Sequence, residues 1–447
     1  MTEIEWDVAV LGAGAAGLMA AIAAAEAGAR VVLLEKNRRP GVKILVSGGT
    51  RCNLANARGL RRLDGLSGPI DPAYDPKLGE GNRAIQRAFG PGGPFLGPSL
   101  RAFDTTATIA MFEAEGLATK VEGNGKIFPV SDRATDVLAA LLARLGRSGA
   151  ELRGESPVTG LARSDQGFEI ATPSGPLLAR SVVLAVGGQS YPGCGTTGDG
   201  YAIARSLGHT IVEPRPALVP LRVGADWVPT LRGLTVPDAV ATVVDAEGRK
   251  LDERREAVLF AHFGLTGPAI LDVSREVARR ATEGDRAGRL GLRIDFDPDR
   301  RPEAIDQQMQ KQSREGRPSV PALLPASLPR RLAEAIATAA AIPAGRVGPE
   351  LSRDERRRLI GALKSLELPI TGTLGFAKAE VTSGGVALDE VDPATLESRR
   401  CPGLFLAGEV LDLDGRIGGY NFQAAWSTGW LAGRSACAAL PRAPGLS

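Results

Sequence analysis

The sequence predicts an α/β fold, with a β-rich segment that suggests a small β-barrel or sandwich and then a helical segment between the two ends of the chain. Three observations predict it. The chain opens on a strand, a glycine turn, a helix and a second strand. It closes on a short buried strand followed by a helix that two glycines open. The middle changes from short alternating apolar runs to longer, charged, helical ones.

Composition narrows the field. The chain has 447 residues, 56 of them glycine, well above the usual share of about 7%. Hydrophobic residues make up 43% and charged residues 23%, a globular balance. The four cysteines, Cys52, Cys194, Cys401 and Cys437, are far apart and form no CxxC, which removes disulfide frameworks, dithiol redox pairs and zinc ribbons. Two histidines leave little for a metal site, and none is expected. The net charge of +3, from 54 basic and 51 acidic residues, gives no argument for nucleic acid as a partner. Residues 8–25 are uncharged, but acidic residues precede them and glycines fill their first half, so neither a signal peptide nor a membrane span is read there. A cytoplasmic protein that does not enter a membrane is expected.

In the first unit, residues 7–11 read as a buried strand and Gly12-Ala13-Gly14-Ala15-Ala16-Gly17 as a tight turn entering a helix that stops at Gly28. Residues 30–35 form the second strand, and Glu35 ends it 18 residues after Gly17. This is the dinucleotide-binding fingerprint in full context, so the domain is Rossmann-like. Gly12 permits the turn, Gly14 lets the backbone approach a pyrophosphate, and Gly17 lets the helix pack on the strand. The helix N-terminus offers N–H groups and a positive dipole end to phosphates, and Glu35 can accept from a ribose. The fingerprint does not choose between NAD and FAD. The next segment, Lys43-Ile-Leu-Val-Ser47-Gly48-Gly49-Thr50-Arg51-Cys52-Asn53, is small and polar. Small residues admit a flat ring. Lys43, Arg51 and Asn53 can serve a pyrophosphate, a ring carbonyl or an anionic substrate.

At the far end, residues 404–407 read as a buried strand that Gly408-Glu409 terminates, and Glu409 can bind ribityl or ribose hydroxyls. Gly418-Gly419 then opens a helix over residues 420–439. Its N–H groups suit an electron-rich atom such as the N1/O2 edge of a flavin, where a helix dipole stabilises the reduced ring.

These blocks, with residues 123–132 (GNGKIFPVSD), Gly187-Gly188-Gln189-Ser190-Tyr191-Pro192 and Leu259-Phe260-Ala261-His262-Phe263-Gly264, resemble the aminoacetone-oxidase-like family of FAD-dependent oxidoreductases, which is similar in turn to the glutathione-reductase-type FAD fold. The resemblance spans almost the whole chain in order. It implies FAD bound by a Rossmann-like domain split between the two chain ends, with a small β-barrel domain and a helical domain inserted, and NAD(P)H as a transient electron donor approaching from the substrate side. Cofactor contacts are expected at Gly12, Ala13, Gly14, Ala15, Ala16, Gly17, Glu35, Lys36, Lys43, Ser47, Gly48, Gly49, Arg51, Cys52, Asn53, Val158, Gly187, Gly188, Gly408, Glu409, Asp414, Gly419, Asn421, Phe422 and Gln423. Val158 is placed at a strand end whose backbone touches adenine. Cys52 is read as a packing residue near the flavin ring rather than a reactive thiol. Tyr191, His262 and Lys378 are the acid–base candidates, each within a family-like block.

The middle follows from periodicity. Residues 104–116 and 133–149 are helical, with a hairpin over 121–130 between them; residues 151–158 fit a strand, and a hairpin turns near Pro173-Ser174-Gly175. Gly193-Cys194-Gly195-Thr196-Thr197-Gly198 repeats the GxGxxG spacing without a strand before it or an acid at the right distance, so it is read as a loop leading to a helix at Asp199. The FAD domain is assigned residues 1–208 and 386–447, a β-rich substrate domain 209–266 and 366–385, and the helical insert 267–365. The Pro/Gly-rich stretch 57–81 is long for the family and reads as a solvated loop, with a flexible lid as the other reading. Ala261 stands where the family usually carries a hydroxyl residue. The function expected is hydride transfer between flavin N5 and a small organic substrate, either amine oxidation by oxygen or NAD(P)H-dependent reduction of an unsaturated carbonyl. An FAD-dependent RNA-modifying enzyme and a flavin-binding redox module without turnover are the alternatives. The oligomeric state is left open.

Overall fold

The structure, a computed structural model, describes residues 4–63, 66–280 and 290–440. The end of the charged run at 281–284 lies outside them. The chain divides into two units, Met1–Arg215 with Val381–Ser447, and Pro216–Glu380.

A seven-stranded sheet forms the first unit. Strands Glu151–Arg153, Val31–Leu34, Trp6–Leu11 and Leu177–Leu184 lie side by side and parallel, and Leu404–Leu406 adds to the far edge of Leu177–Leu184. Val8 sits opposite Val31 and Ser181, which sets the register. Val31–Leu34 is buried at every position, as a strand in a sheet covered on both faces must be. The hairpin strands Gly160–Ser164 and Gly167–Ala171 complete the sheet antiparallel. Strands Thr119–Val121, Lys126–Pro129 and Ala55–Asn56 make a separate small antiparallel sheet.

The two ends of the chain meet through helices Ala15–Glu26 and Tyr420–Ala438. Gly429 and Gly433 are four residues apart and so share a face of the second helix. A β-carbon on Gly429 would lie 2.2 Å from the carbonyl oxygen of Ala16, and one on Gly433 2.1 Å from that of Ala20. Only glycine permits this approach. Trp426 is fully buried one turn before, and its indole N–H donates to the carbonyl of Leu54 at 3.0 Å.

Two expectations are corrected here. The strand read over residues 151–158 ends at Arg153, because Glu155 takes a left-handed φ of 52° and Pro157 follows. Val158 is therefore not at a strand end, although Ser156 N–H still reaches the Glu35 carbonyl at 2.8 Å. The stretch 57–81 is not simply solvated. Tyr74 is buried, the N–H of Asp71 donates to the Val121 carbonyl at 2.9 Å, and Gly123 N–H donates to the Asp71 carboxylate at 3.1 Å.

In the second unit, strands Leu221–Val223, Gly264–Thr266, Lys250–Ala261, Thr235–Val244, Gly291–Asp295 and Leu366–Thr373 close a barrel. Helices Pro268–Arg280, Pro302–Glu315, Arg330–Ala339 and Arg353–Lys364 belong to the same unit, and barrel residues such as Phe260 share one apolar core with Met309, Leu332 and Leu359 from the helices. The segment read as helical thus carries a barrel strand, Gly291–Asp295, between its helices.

Histidine 209 is structural. Its ring nitrogens face Glu390 at 3.2 Å and Ser398 at 2.7 Å, all three buried. Burial opposes the Glu390 charge, yet the Thr210 N–H and the Arg400 guanidinium hold its carboxyl at about 2. Burial lowers the His209 pKa, with Glu390 opposing. Both folded values lie below the ordinary ones, so the stability they contribute is present at neutral pH and is lost as pH falls from about 6.5 towards 2.

Two outcomes are expected of thermal and denaturant unfolding. Gly433→Ala should destabilise the fold by about 1–3 kcal/mol, because the two backbones must separate; an unchanged midpoint would refute the helix contact. Glu390→Gln should lower stability at pH 7 by on the order of 2 kcal/mol and flatten the loss between pH 5 and pH 3. A wild-type acid slope retained in this variant would count against the assignment.

Candidate functional site

The fingerprint turn is built as its glycines require. Gly12 has φ +94°, and a β-carbon there would meet the backbone of Ala185 and Val186 at 2.8 Å; one on Gly17 would lie 1.8 Å from the Gly12 carbonyl oxygen. Gly14 differs. Its φ of −79° and ψ of −169° suit any residue, and a β-carbon would meet nothing within 4 Å. Crowding gives no reason for glycine there; its place as the helix N-cap gives a mild one, and a phosphate approaching the backbone would give a stronger one. Ala15 and Ala16 begin the helix beside it.

Glu35 ends its strand, largely buried, and ties the turn together. Its carboxylate accepts from the N–H of Ala13 at 2.8 Å and from that of Asn37 at 2.9 Å. Lys36 pairs with Asp199 at 2.5 Å and with the Thr197 hydroxyl at 2.8 Å. The Asn37 amide donates to the Cys194 carbonyl at 3.2 Å. The second glycine-rich loop, residues 193–198, therefore folds over the end of the Glu35 strand and leads into helix Asp199–Ser206. Desolvation opposes the Asp199 charge, but Lys36 and Thr197 outweigh it and lower its pKa.

Three segments distant in sequence converge on Glu409. Lys43 Nζ donates to its Oε2 at 2.6 Å and to Ser190 Oγ at 2.6 Å; Ser190 Oγ donates to Oε1 at 2.8 Å, and so does the N–H of Thr382 at 2.8 Å. The Thr382 hydroxyl accepts from the N–H groups of Gln189 and Ser190 at 2.8 and 3.0 Å. Gly188 is bare because a β-carbon would lie 2.5 Å from that hydroxyl, and Gly187 turns the chain at φ +77°. The N–H of Gly408 donates to the Thr428 hydroxyl at 3.0 Å. Ser190 and Thr382 were missed in sequence; their nearness to Gly187-Gly188 and Gly384-Gly385 was the one available signal.

The loop Ser47–Thr50 is exposed apart from half-buried Ser47, with left-handed Gly48, Gly49 and Thr50 in succession. Arg51 lies 3.9 Å over the Phe128 ring and pairs with Glu122 at 2.6 Å and Asp132 at 3.3 Å. Cys52 is fully buried, and desolvation pushes its thiol up to about 12, with a Ser47 hydrogen bond opposing. It is a packing residue. With its amide oriented by its hydrogen bonds, Asn53 accepts from the Gly419 N–H at 2.9 Å, and Asn56 donates to the Gly418 carbonyl at 2.9 Å. These two amides seat the double glycine at the start of the last helix. Asp414 accepts from Ser383 at 3.0 Å, Asn421 holds both the N–H and the carbonyl of Gly415, and Phe422 stacks on Trp426. Gln423 is fully buried, and its amide N–H groups go to Thr108 at 2.9 Å and Ser427 at 3.0 Å. It packs the helix inward, which its place near the helix start concealed.

Of the acid–base candidates, the first unit contains Tyr191, half-buried and left-handed at φ 57°. His262 and Lys378 belong to the second unit. His262 is exposed at the turn between strands Lys250–Ala261 and Gly264–Thr266, its ring edge-on to Phe263, and Lys378 is exposed in the turn Phe376–Lys378. Among the described residues no group of histidine, cysteine and acidic side chains could hold a metal, and no helix is long and apolar enough to cross a membrane.

Comparison with known proteins agrees with this geometry. The family model of the HI0933-like protein Rossmann domain matches residues 6–65 and 80–435. The gap falls inside the long stretch 57–81. A 3-dehydro-bile acid delta(4,6)-reductase from Clostridium scindens is 34% identical, over 96% of this chain and 98% of its own. A ribosomal RNA dihydrouridine synthase from Escherichia coli is 31% identical, over 97% and 98%. The fold is shared with a 3-ketosteroid-delta4-(5alpha)-dehydrogenase from Rhodococcus jostii at TM-score 0.52 and 17% identity, over 98% of both chains.

Because no neighbouring atom crowds Gly14, Gly14→Ala should cost the FAD-free protein no more than about 1 kcal/mol at the helix N-cap and weaken FAD binding at least about tenfold, a cost of about 1.4 kcal/mol or more. Quenching of flavin fluorescence on titration of the FAD-free protein measures it; undiminished affinity would mean that no ligand approaches there. With the fingerprint at one end, the seated double glycine at the other and a family match spanning both, the chain belongs to the HI0933-like family and is an FAD-dependent oxidoreductase.

Proposed function

We propose that the protein reduces a carbon–carbon double bond conjugated to a carbonyl, drawing its electrons from NAD(P)H. The observation that carries this reading is chemical agreement between relatives aligned over nearly their full length. A delta(4,6)-reductase of 3-dehydro-bile acids and a dihydrouridine synthase are named for unlike substrates, yet both names describe hydrogen added across such a bond.

The residues fit the cofactor. The Gly12–Gly17 turn and the N-terminus of helix Ala15–Glu26 would hold a pyrophosphate, Glu35 a ribose, and Glu409 with Lys43 the polar chain of the flavin. When bound, the flavin supplies a hydride donor and acceptor. The chain's own part is to orient the substrate, exclude water and deliver a proton. The four cysteines form no CxxC pair and Cys52 is buried and inert, which favours direct transfer between flavin and substrate.

A small molecule is the first reading of the substrate. Uridine within RNA is the second, favoured by the two relatives named ribosomal RNA dihydrouridine synthase, at 31% and 28% identity. The near-balanced charge favours the first. Amine oxidation by oxygen is the reading that these relatives do not favour.

Anaerobic reduction of the purified holoenzyme, followed at the flavin absorbance near 450 nm, tests the proposal. NADH or NADPH should reduce the flavin, and a 3-oxo-4-ene steroid or 2-cyclohexenone should reoxidise it at least tenfold faster than air-saturated buffer. Reoxidation by unmodified ribosomal RNA but by neither enone selects the RNA reading. Reduction by aminoacetone with fast reoxidation by oxygen would overturn the proposal.

A further inference from the structure

Tyr191 adopts φ 57° and ψ 58°. A residue with a β-carbon holds this left-handed conformation only where its surroundings impose it, and such residues gather at functional sites. Here the surroundings impose it from both sides. Ser190 is fully buried; its N–H donates to Thr382 at 3.0 Å and its hydroxyl bridges Lys43 and Glu409 at 2.6 and 2.8 Å. The Thr196 hydroxyl donates to the Ser190 carbonyl and, at 3.3 Å, to that of Tyr191. The Cys194 N–H donates to the Tyr191 carbonyl at 2.8 Å, and Pro192 fixes the next φ. The Tyr191 carbonyl and the flanking Ser190 are held while the ring stays half-exposed, and the phenol pairs with no other group among the described residues. Neither exposed His262 nor exposed Lys378 has a positive φ.

The geometry points to Tyr191 as the proton donor of the reaction, with Ser190, Thr382 and Thr196 as positioning residues that hold it in a strained conformation. This assignment rests on the reductase reading. In that reaction two electrons and a hydrogen reach the β-carbon as hydride equivalent from the bound flavin. The Tyr191 O–H bond breaks as a C–H bond forms at the α-carbon, and water reprotonates the phenolate. NAD(P)H supplies the electron pair and leaves as NAD(P)⁺.

The test uses the holoenzyme, its flavin reduced with dithionite and mixed anaerobically with 2-cyclohexenone or 4-androstene-3,17-dione. Tyr191→Phe and Tyr191→Gly should each slow reoxidation at least 100-fold, the scale of general acid catalysis. Reoxidation by oxygen should change less than twofold. Ser190→Ala should slow the enone step about tenfold, and adding it to Tyr191→Phe should cost nothing more. Thermal midpoints give a readout independent of turnover: Tyr191→Gly should match or exceed Tyr191→Phe, because glycine relieves the strain. Wild-type enone rates in Tyr191→Phe would overturn the donor role and leave the reductase reading intact. Failure of both enones with the wild type would overturn both. A Gly variant melting below the Phe variant would overturn the strained-positioning argument.

Discussion

Gly429 and Gly433 bring the last helix onto the carbonyls of Ala16 and Ala20, and the rest of the first unit is organised around that approach. The first helix starts at the fingerprint turn; the last starts at Gly418-Gly419. Locking the two helices together fixes where both N-termini lie in one body. A side chain at either glycine would force the backbones apart, and cores close-packed to crystal density do not absorb such a shift locally. The contact therefore unites in one unit two sequence blocks some 400 residues apart.

The polar network follows from the same constraint. Glu409 and Thr382 come from the C-terminal part of the unit, Lys43 and Ser190 from its N-terminal part. Their hydrogen bonds form only because the helices have already brought those segments together. Asn53 and Asn56 repeat the pattern at Gly418-Gly419. In this partly buried setting each charge has a partner, as the cost of desolvation requires. The network also reaches the backbone of Tyr191 through Ser190, which couples the region expected to hold the cofactor to the group proposed to move the proton.

Much of this was legible in the sequence where a residue has one physical task. Gly12 and Gly17 each do something no other residue does, so the fingerprint could be read directly. The barrel could be read from alternation, except Gly291–Asp295, five residues placed between charged helices and too short to register as a change of period. Gln423 could not be assigned, because helix Tyr420–Ala438 is buried on much of its circumference and periodicity does not say which polar residue turns inward. The strand read as far as Val158 stops short for a local reason: Glu155 adopts a positive φ that its residue type does not announce. Ser190 and Thr382 form a contact across 192 positions, and no spacing rule within a single sequence reaches that far.

The central claim is that both ends of the chain form one FAD site. Hydrogen exchange of backbone amides during titration of the FAD-free protein with FAD tests it most directly. The account predicts that peptides covering residues 12–18 and residues 408–423 gain protection together, with the same dependence on FAD concentration. Protection confined to residues 12–18, with residues 408–423 exchanging as fast as before, would contradict it.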